Sequence, residues 1–159
     1  MSPARVVLDT NVVVSALLNS FGAPGRVLDL ALAGELTVVH DDRILAEWRQ
    51  VLAREKFGFS ARDVAALLGF VQEVGLGVNP SPLGAELPDP DDVVFLEAAS
   101  AAEATLITGN TKHYPPEKRR GVVVLDPATF LEGWTSNIQE RERANQPEST
   151  GDDPSTTHW

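Results

Sequence analysis

Four places in the chain carry side chains suited to holding a divalent cation against a phosphate. They are Asp9 in VVLDTNVVVSALL, Glu47 in ILAEWRQVL, the acids Asp89, Asp91 and Asp92 in DPDDVVFLEAA, and Thr108 to Asn110 in LITGNTKHYP. Each also has an ordinary structural reading. Asp9 is a good helix N-cap type, although Thr10 and Asn11 beside it could serve equally. Glu47 falls at the edge of an apolar helical face, where a solvated boundary residue is common. Asp89, Asp91 and Asp92 fill a first helical turn, where each acid complements the helix dipole by roughly 0.3–1 kcal/mol. Three acids exceed what a cap requires, so at least one is available for other work. Lys112, His113, Lys118, Arg119 and Arg120 form the most basic stretch of the chain. They read either as a solvated loop or as phosphate contacts.

Carboxylates without cysteine and with only scattered histidine match hard, oxygen-loving cations, Mg²⁺ or Mn²⁺. A cation of that kind suits in-line hydrolysis of a phosphodiester, because it polarises the phosphate and acidifies water. Thr and Asn after a strand end add oxygen donors able to orient water. Serine-hydrolase and P-loop chemistry are excluded, since neither G-x-S-x-G nor G-x-x-x-x-G-K-[ST] occurs. The glycine-rich turn of a dinucleotide site is also missing after the first strand.

The elements that must position these groups are legible as short β-branched runs alternating with helical stretches. Arg5–Leu8 and Leu36–His40 are expected strands, and Val12–Leu18 and Pro24–Ala33 expected helices. Asp41 and Asp42 then cap a helix whose Ile44, Leu45, Trp48, Val51 and Leu52 share one face. Ser60 to Asp63 forms a capping box for a helix over 61–74. A weak strand is expected around 75–78, followed by a Pro/Gly-rich loop from 79 to 88. Asp89 caps a helix with Pro90 at its first position. Thr105–Thr108 and Gly121–Leu125 are further buried strands, and Ala128–Gly133 a short last helix. Alternation of this kind predicts an α/β fold, a three-layer α/β/α sandwich with a central parallel sheet. Sites in such sheets gather at the carboxyl ends of the strands, which is where Asp9 falls.

At 159 residues, 43% of them hydrophobic, the chain is one domain's worth. The division expected is a folded unit over 1–134 and a polar, disordered tail over 135–159. The net charge is −10. The tail's five acids and two arginines account for −3, leaving −7 on the folded part. That field opposes non-specific nucleic-acid binding unless a local basic patch or a metal offsets it. No apolar run approaches the roughly 18–20 residues that span a bilayer, and the N-terminus lacks a signal-peptide pattern. No cysteine is present, so disulfides and thiolate zinc sites are excluded. A cytoplasmic location with no membrane association is expected.

VVLDTNVVVSALL, the glutamate of ILAEWRQVL, DPDDVVFLEAA and LITGNTKHYP, in that order, resemble the motifs of the PIN domain, the PilT N-terminus-type nuclease fold. The resemblance covers about Arg5 to Trp134 and is nearest to the VapC-like toxins of bacterial toxin–antitoxin pairs. It implies metal-dependent cleavage of single-stranded RNA, with Asp9, Glu47 and Asp92 as metal ligands. Asp92 is chosen because the seven residues from Asp92 to Ala99 reproduce the family's acid-to-small-residue spacing, leaving Asp89 and Asp91 as cap and rim. Thr10 and Asn11 fall on supporting positions, and Thr108 and Asn110 on groups that orient water. Many relatives carry Asp where this chain has Asn110, and often another at His113, so one metal is expected more than two. Lys112, His113 and Arg119 are the candidate substrate contacts. The resemblance further implies a homodimer, silenced by an antitoxin inserted into the acidic groove. The alternatives are a non-catalytic PIN-fold binding module with a degenerate site, and a nuclease for structured RNA or DNA.

Overall fold

The first strand is buried along its last three residues, Val6, Val7 and Leu8, because neighbours cover it on both sides and on both faces. A computed structural model describes residues 3–146. Its strands are β1 (Ala4–Leu8), β2 (Leu36–His40), β3 (Leu76–Gly77), β4 (Thr105–Ile107) and β5 (Val124–Leu125). They form one sheet in the order β3-β2-β1-β4-β5, with every pairing parallel. The helices are α1 (Thr10–Leu18), α2 (Ala23–Leu32), α3 (Asp42–Leu52), α4 (Ala61–Val74), α5 (Val93–Ala102) and α6 (Pro127–Asn145). Helices α1 and α6 pack on α2, and α4 and α5 on α3, with α1 also meeting α3; α2, α4 and α5 lie against strands. The expected α/β/α sandwich is therefore present.

Local sequence accounts for most boundaries. The Asp41 carboxylate accepts the Ile44 N–H at 2.9 Å and starts α3, and Ser60 accepts from Asp63 N at 3.3 Å and starts α4. On α3, Ile44, Leu45, Trp48 and Leu52 are buried, the apolar face that its 3.6-residue spacing predicts. Burying each such large side chain contributes roughly 1.5–3 kcal/mol.

The end of the chain departs from expectation. The last helix does not stop at Gly133, and Thr135 to Asn145 is not disordered, since α6 runs through both. Asp126 caps it, accepting from Thr129 N at 2.8 Å and Thr129 Oγ1 at 2.9 Å, with Pro127 at the first position. Phe130 and Leu131 anchor the helix in the core, and α6 packs along α2. Polar composition after Trp134 was a poor guide because a helix anchored along one stripe can continue with solvated sides. The rest of the expected tail, 147–159, lies outside the described residues.

Candidate active site

Strand order places β1 at the point where the chain's progression across the sheet reverses, with β2 on one side and β4 on the other. The carboxyl ends of β1 and β4 flank the crevice that such a reversal opens. Asp9 stands there: its N–H donates to the carbonyl of Ile107, the last residue of β4, at 2.9 Å, extending the ladder by one residue beyond β1. Its side chain is 5% exposed and forms no capping bond to α1, so the simple N-cap reading fails. Its Oδ2 instead accepts from Thr108 Oγ1 at 3.0 Å and from Tyr114 OH at 2.9 Å. No side-chain donor among the described residues reaches Oδ1.

Thr108 is fully buried. Besides donating to Asp9, its hydroxyl accepts from the Asn110 N–H at 3.1 Å and, at the 3.5 Å limit, from Asn11 Nδ2. Asn11 Oδ1 accepts from Gly109 N at 2.8 Å. A Cβ on Gly109 would stand 3.2 Å from that oxygen, so the turn after β4 fits closely only with glycine there. Asn11 and Thr108 thus brace the strand end that carries Asp9.

Glu47 arrives from α3, half-buried at the edge of the apolar face, and its Oε2 accepts from Thr10 Oγ1. Asp92 arrives from the start of α5. In the turn Pro90–Asp92, Asp89 caps by accepting from Asp91 N at 3.0 Å, and Asp91 is exposed. Asp92 is buried and forms no cap bond. Its Oδ2 meets His113 Nδ1 at 3.1 Å.

The charge of Asp9 bears on both of the other carboxylates. Burial pushes Asp9 above the ordinary range, against the hydrogen bonds from Tyr114 and Thr108. Burial also raises Glu47, opposed by the Thr10 bond and reinforced by the charges of Asp9, Asp91 and Asp89. Asp92 is pushed up to about 6, by burial first and then by Asp9 and Asp89, with His113 opposing. Tyr114, buried among these acids, is pushed far up and stays a proton donor.

The donor set fits a cation of the Mg²⁺ type: hard oxygens only, with repulsion that a positive charge would relieve. Among the described residues no three acids or histidines stand together so as to hold a metal ion. An ion here would therefore take few direct protein bonds and keep several waters, as Mg²⁺ does.

The remaining expected residues are placed less uniformly. Asn110 is half-buried and joins the site through its backbone N–H, while its side chain makes no hydrogen bond. His113 reaches the site as the partner of Asp92. Arg119 Nε donates to the Tyr114 carbonyl at 2.7 Å and braces that loop. Lys112 is exposed and makes no contact with the acids. Sequence reasoning missed Tyr114, the chain's single tyrosine; an aromatic with a polar end just after a strand-end turn was the available signal. It also missed an ion-pair clamp. Arg43 Nε and Nη2 donate to Asp41 Oδ2 at 3.0 and 2.7 Å, and Nη1 donates to Glu97 Oε1 at 2.9 Å. Glu97 Oε2 accepts from Leu83 N at 2.8 Å. A lone charge inside the apolar run VVFLEAASAA was the hint.

A model of the PIN-domain family matches residues 5–112. The chain belongs to the PIN-domain family. PIN domains are generally metal-dependent nucleases. The uncharacterized protein MJ1680 of Methanocaldococcus jannaschii is 33% identical over 110 residues, 67% of this chain and 70% of that protein. The fold is also similar to that of VapBC2 from Rickettsia felis bound to a DNA fragment from their promoter. That likeness has a TM-score of 0.52 at 17% identity and covers 77% of this chain and 98% of the other. VapBC-1 from nontypeable Haemophilus influenzae gives 0.53 at 16%, covering 78% and 98%. In this PIN domain, no helix among the described residues is long and apolar enough to cross a membrane.

The raised value of Asp92 has a measurable consequence. Between the unfolded value of about 4 and the folded value of about 6, the folded carboxyl keeps a proton that the unfolded chain has lost. The stabilisation is present on the acid side and is lost as pH rises through the folded value. Asp92→Asn removes that term. In EDTA, the Tm of Asp92→Asn relative to wild type should therefore rise between pH 5 and pH 7.5. A gap independent of pH would show that Asp92 ionises freely.

Proposed function

We propose that this PIN domain is a metal-dependent endoribonuclease that hydrolyses single-stranded RNA, acting as the toxin of a toxin–antitoxin pair. The observation that carries the reading is the gathering of Asp9, Glu47 and Asp92, each raised by burial, at the carboxyl edge of the sheet with too little positive charge nearby to balance them. Mg²⁺ or Mn²⁺, when bound, supplies charge stabilisation to the phosphate and acidifies water. Asp9 and Asp92 would hold the ion together with Glu47. Tyr114 and Thr108 pin Oδ2 of Asp9, which leaves Oδ1 for the ion. Asn110 lines the turn beside it and would orient water, whereas Thr108, expected to share that role, is fully buried with its hydroxyl spent on Asp9, Asn110 and Asn11 and acts as a brace. Lys112 lies on the open rim as a candidate substrate contact, whereas His113 and Arg119 act first as braces of Asp92 and Tyr114. Attack by water in line with the departing 3′-oxygen leaves a 5′-phosphate and a 3′-hydroxyl.

The acidic charge also suits a protein partner that supplies Arg or Lys to these carboxylates, an antitoxin, with the chain itself a homodimer in the cytoplasm. A second reading, a binding module with a degenerate site, draws on the unbonded Asn110 side chain and on the open arrangement of the acids. The deciding experiment is cleavage of matched fluorescent single-stranded RNA, duplex RNA and DNA with Mg²⁺, Mn²⁺ or EDTA. Cutting of single-stranded RNA alone, and only with metal, is the expected result. Metal binding without cutting would favour the binding module, and cutting of duplex or DNA would reassign the substrate.

A further inference from the structure

Next to the acids, on the same edge of the sheet, lies a cavity of about 500 Å³ between the start of α3 and the loop Gly77 to Pro80. Its size is in the range of small-ligand pockets. Val6 of β1 pairs with Val38 of β2, and continuing that register brings Asp41 level with Asp9. The cavity is therefore one to two strand spacings from Asp9, about 5–10 Å, a distance that a neighbouring nucleotide of a bound strand can span.

Arg43 forms one wall. All three of its guanidinium nitrogens are engaged, two on Asp41 and one on Glu97, yet the side chain remains 46% exposed. Three of its five N–H donors are taken, so its edges are largely occupied and its flat face is the main surface it offers a ligand. Two carboxylates already balance its charge, and Asp42 adds an exposed acid to the rim. Such a cavity repels phosphate. It suits a flat, uncharged ring whose amino groups can donate to Asp42 and to the side-chain oxygen of Asn79, which is also exposed on the rim. The floor is His40, 6% exposed, with Nε2 buried and unpartnered. Gly77 borders this ring, where a Cβ would stand in ordinary contact with its Cε1 at 3.4 Å. Arginine planes are good stacking platforms for bases.

We propose that this cavity is a nucleobase subsite for the single-stranded RNA held at the acidic site, with the face of Arg43 as its stacking platform. It rests on the ribonuclease reading and names how that site would hold its substrate beside the cleaved bond.

The test is binding of a short fluorescent oligoadenylate to the full chain in Ca²⁺, read by anisotropy, with a single abasic residue moved along the strand. One position should weaken binding about tenfold, within the roughly 1–3 kcal/mol that stacking on a side chain contributes per base. Arg43→Lys keeps a cation for Glu97 but loses the plane, so it should weaken the intact strand similarly and become insensitive to that position. Circular dichroism checks its fold. Should it unfold, 4-thiouridine at the sensitive position of the wild-type complex must crosslink to residues 77–80 or to the start of α3. A flat abasic scan, undiminished sensitivity in Arg43→Lys, or crosslinks only elsewhere overturns the subsite. If wild type cuts RNA with metal but the scan is flat, the subsite alone falls. If it neither binds nor cuts RNA, the ribonuclease reading falls with it.

Discussion

Asp9→Asn should lower metal-dependent RNA cleavage by more than about a hundredfold, since loss of mere supporting partners around metal ligands already costs 10–100-fold. The change is nearly isosteric. Its amide oxygen can still accept from Thr108 and Tyr114, the two donors that now meet at Oδ2. The amide nitrogen then faces the side where an ion would sit, and an N–H₂ group cannot ligate it. Because burial disfavours the charged form of Asp9, the neutral amide should leave the metal-free protein as stable as wild type or more so. Loss of activity together with an unchanged or higher Tm is thus the signature of a ligand rather than a structural residue. Tyr114→Phe makes a useful contrast: it keeps the buried ring, removes one donor to Asp9, and should cost nearer tenfold. If Asp9→Asn retains most of the activity, the assignment of the site is wrong.

Arg43→Ala is expected to destabilise the fold by about 3 kcal/mol, the lower end of the range for breaking a buried ion pair, because Arg43 itself is 46% exposed. The cost falls on Glu97, whose side chain is only 7% exposed and would keep the Leu83 N–H as its remaining donor. In a domain of this size that corresponds to a Tm drop of roughly 6–12 °C, or an equivalent fall in the urea midpoint. Replacing the whole pair, Arg43→Met with Glu97→Leu, should recover most of the loss, since a buried pair exchanged for apolar side chains is often neutral or stabilising. A single-variant loss below about 1 kcal/mol would mean that water or a proton compensates Glu97.

These residues also show where sequence reading works and where it stops. Asp9 was legible because a carboxylate between two apolar runs is a local signal, and Glu47 because a helical wheel places it beside Ile44, Trp48 and Val51. The residues alone left open which of Asp89, Asp91 and Asp92 serves the site; the resemblance to the PIN-domain motif singled out Asp92, and the structure has Asp89 capping, Asp91 exposed and Asp92 buried. The strands and their parallel order needed only the alternation of β-branched runs with helices. Partnerships across the fold were not legible. Tyr114 meets Asp9 across 105 positions, and Arg43 meets Glu97 across 54; no periodicity encodes either. Arg119 was legible only by type: a cation near a strand end suggests phosphate, and the bond from its Nε to a carbonyl five residues away was not foreseen. The segment after Trp134 misled by composition, because it continues a helix whose buried anchors, Phe130 and Leu131, lie before it.

The placement of Asp9 at the end of the first-made yet central strand of the sheet has a consequence for synthesis. Its two hydroxyl partners lie 99 and 105 residues further along the chain. While a ribosome is still making this protein, the emerging segment carries the first acid but not the groups that orient it. On the ribonuclease reading, a chain cut short before Tyr114 would be harmless to the message being read and to the ribosome's own RNA. The braced acid is complete only when nearly the whole domain has left the exit tunnel.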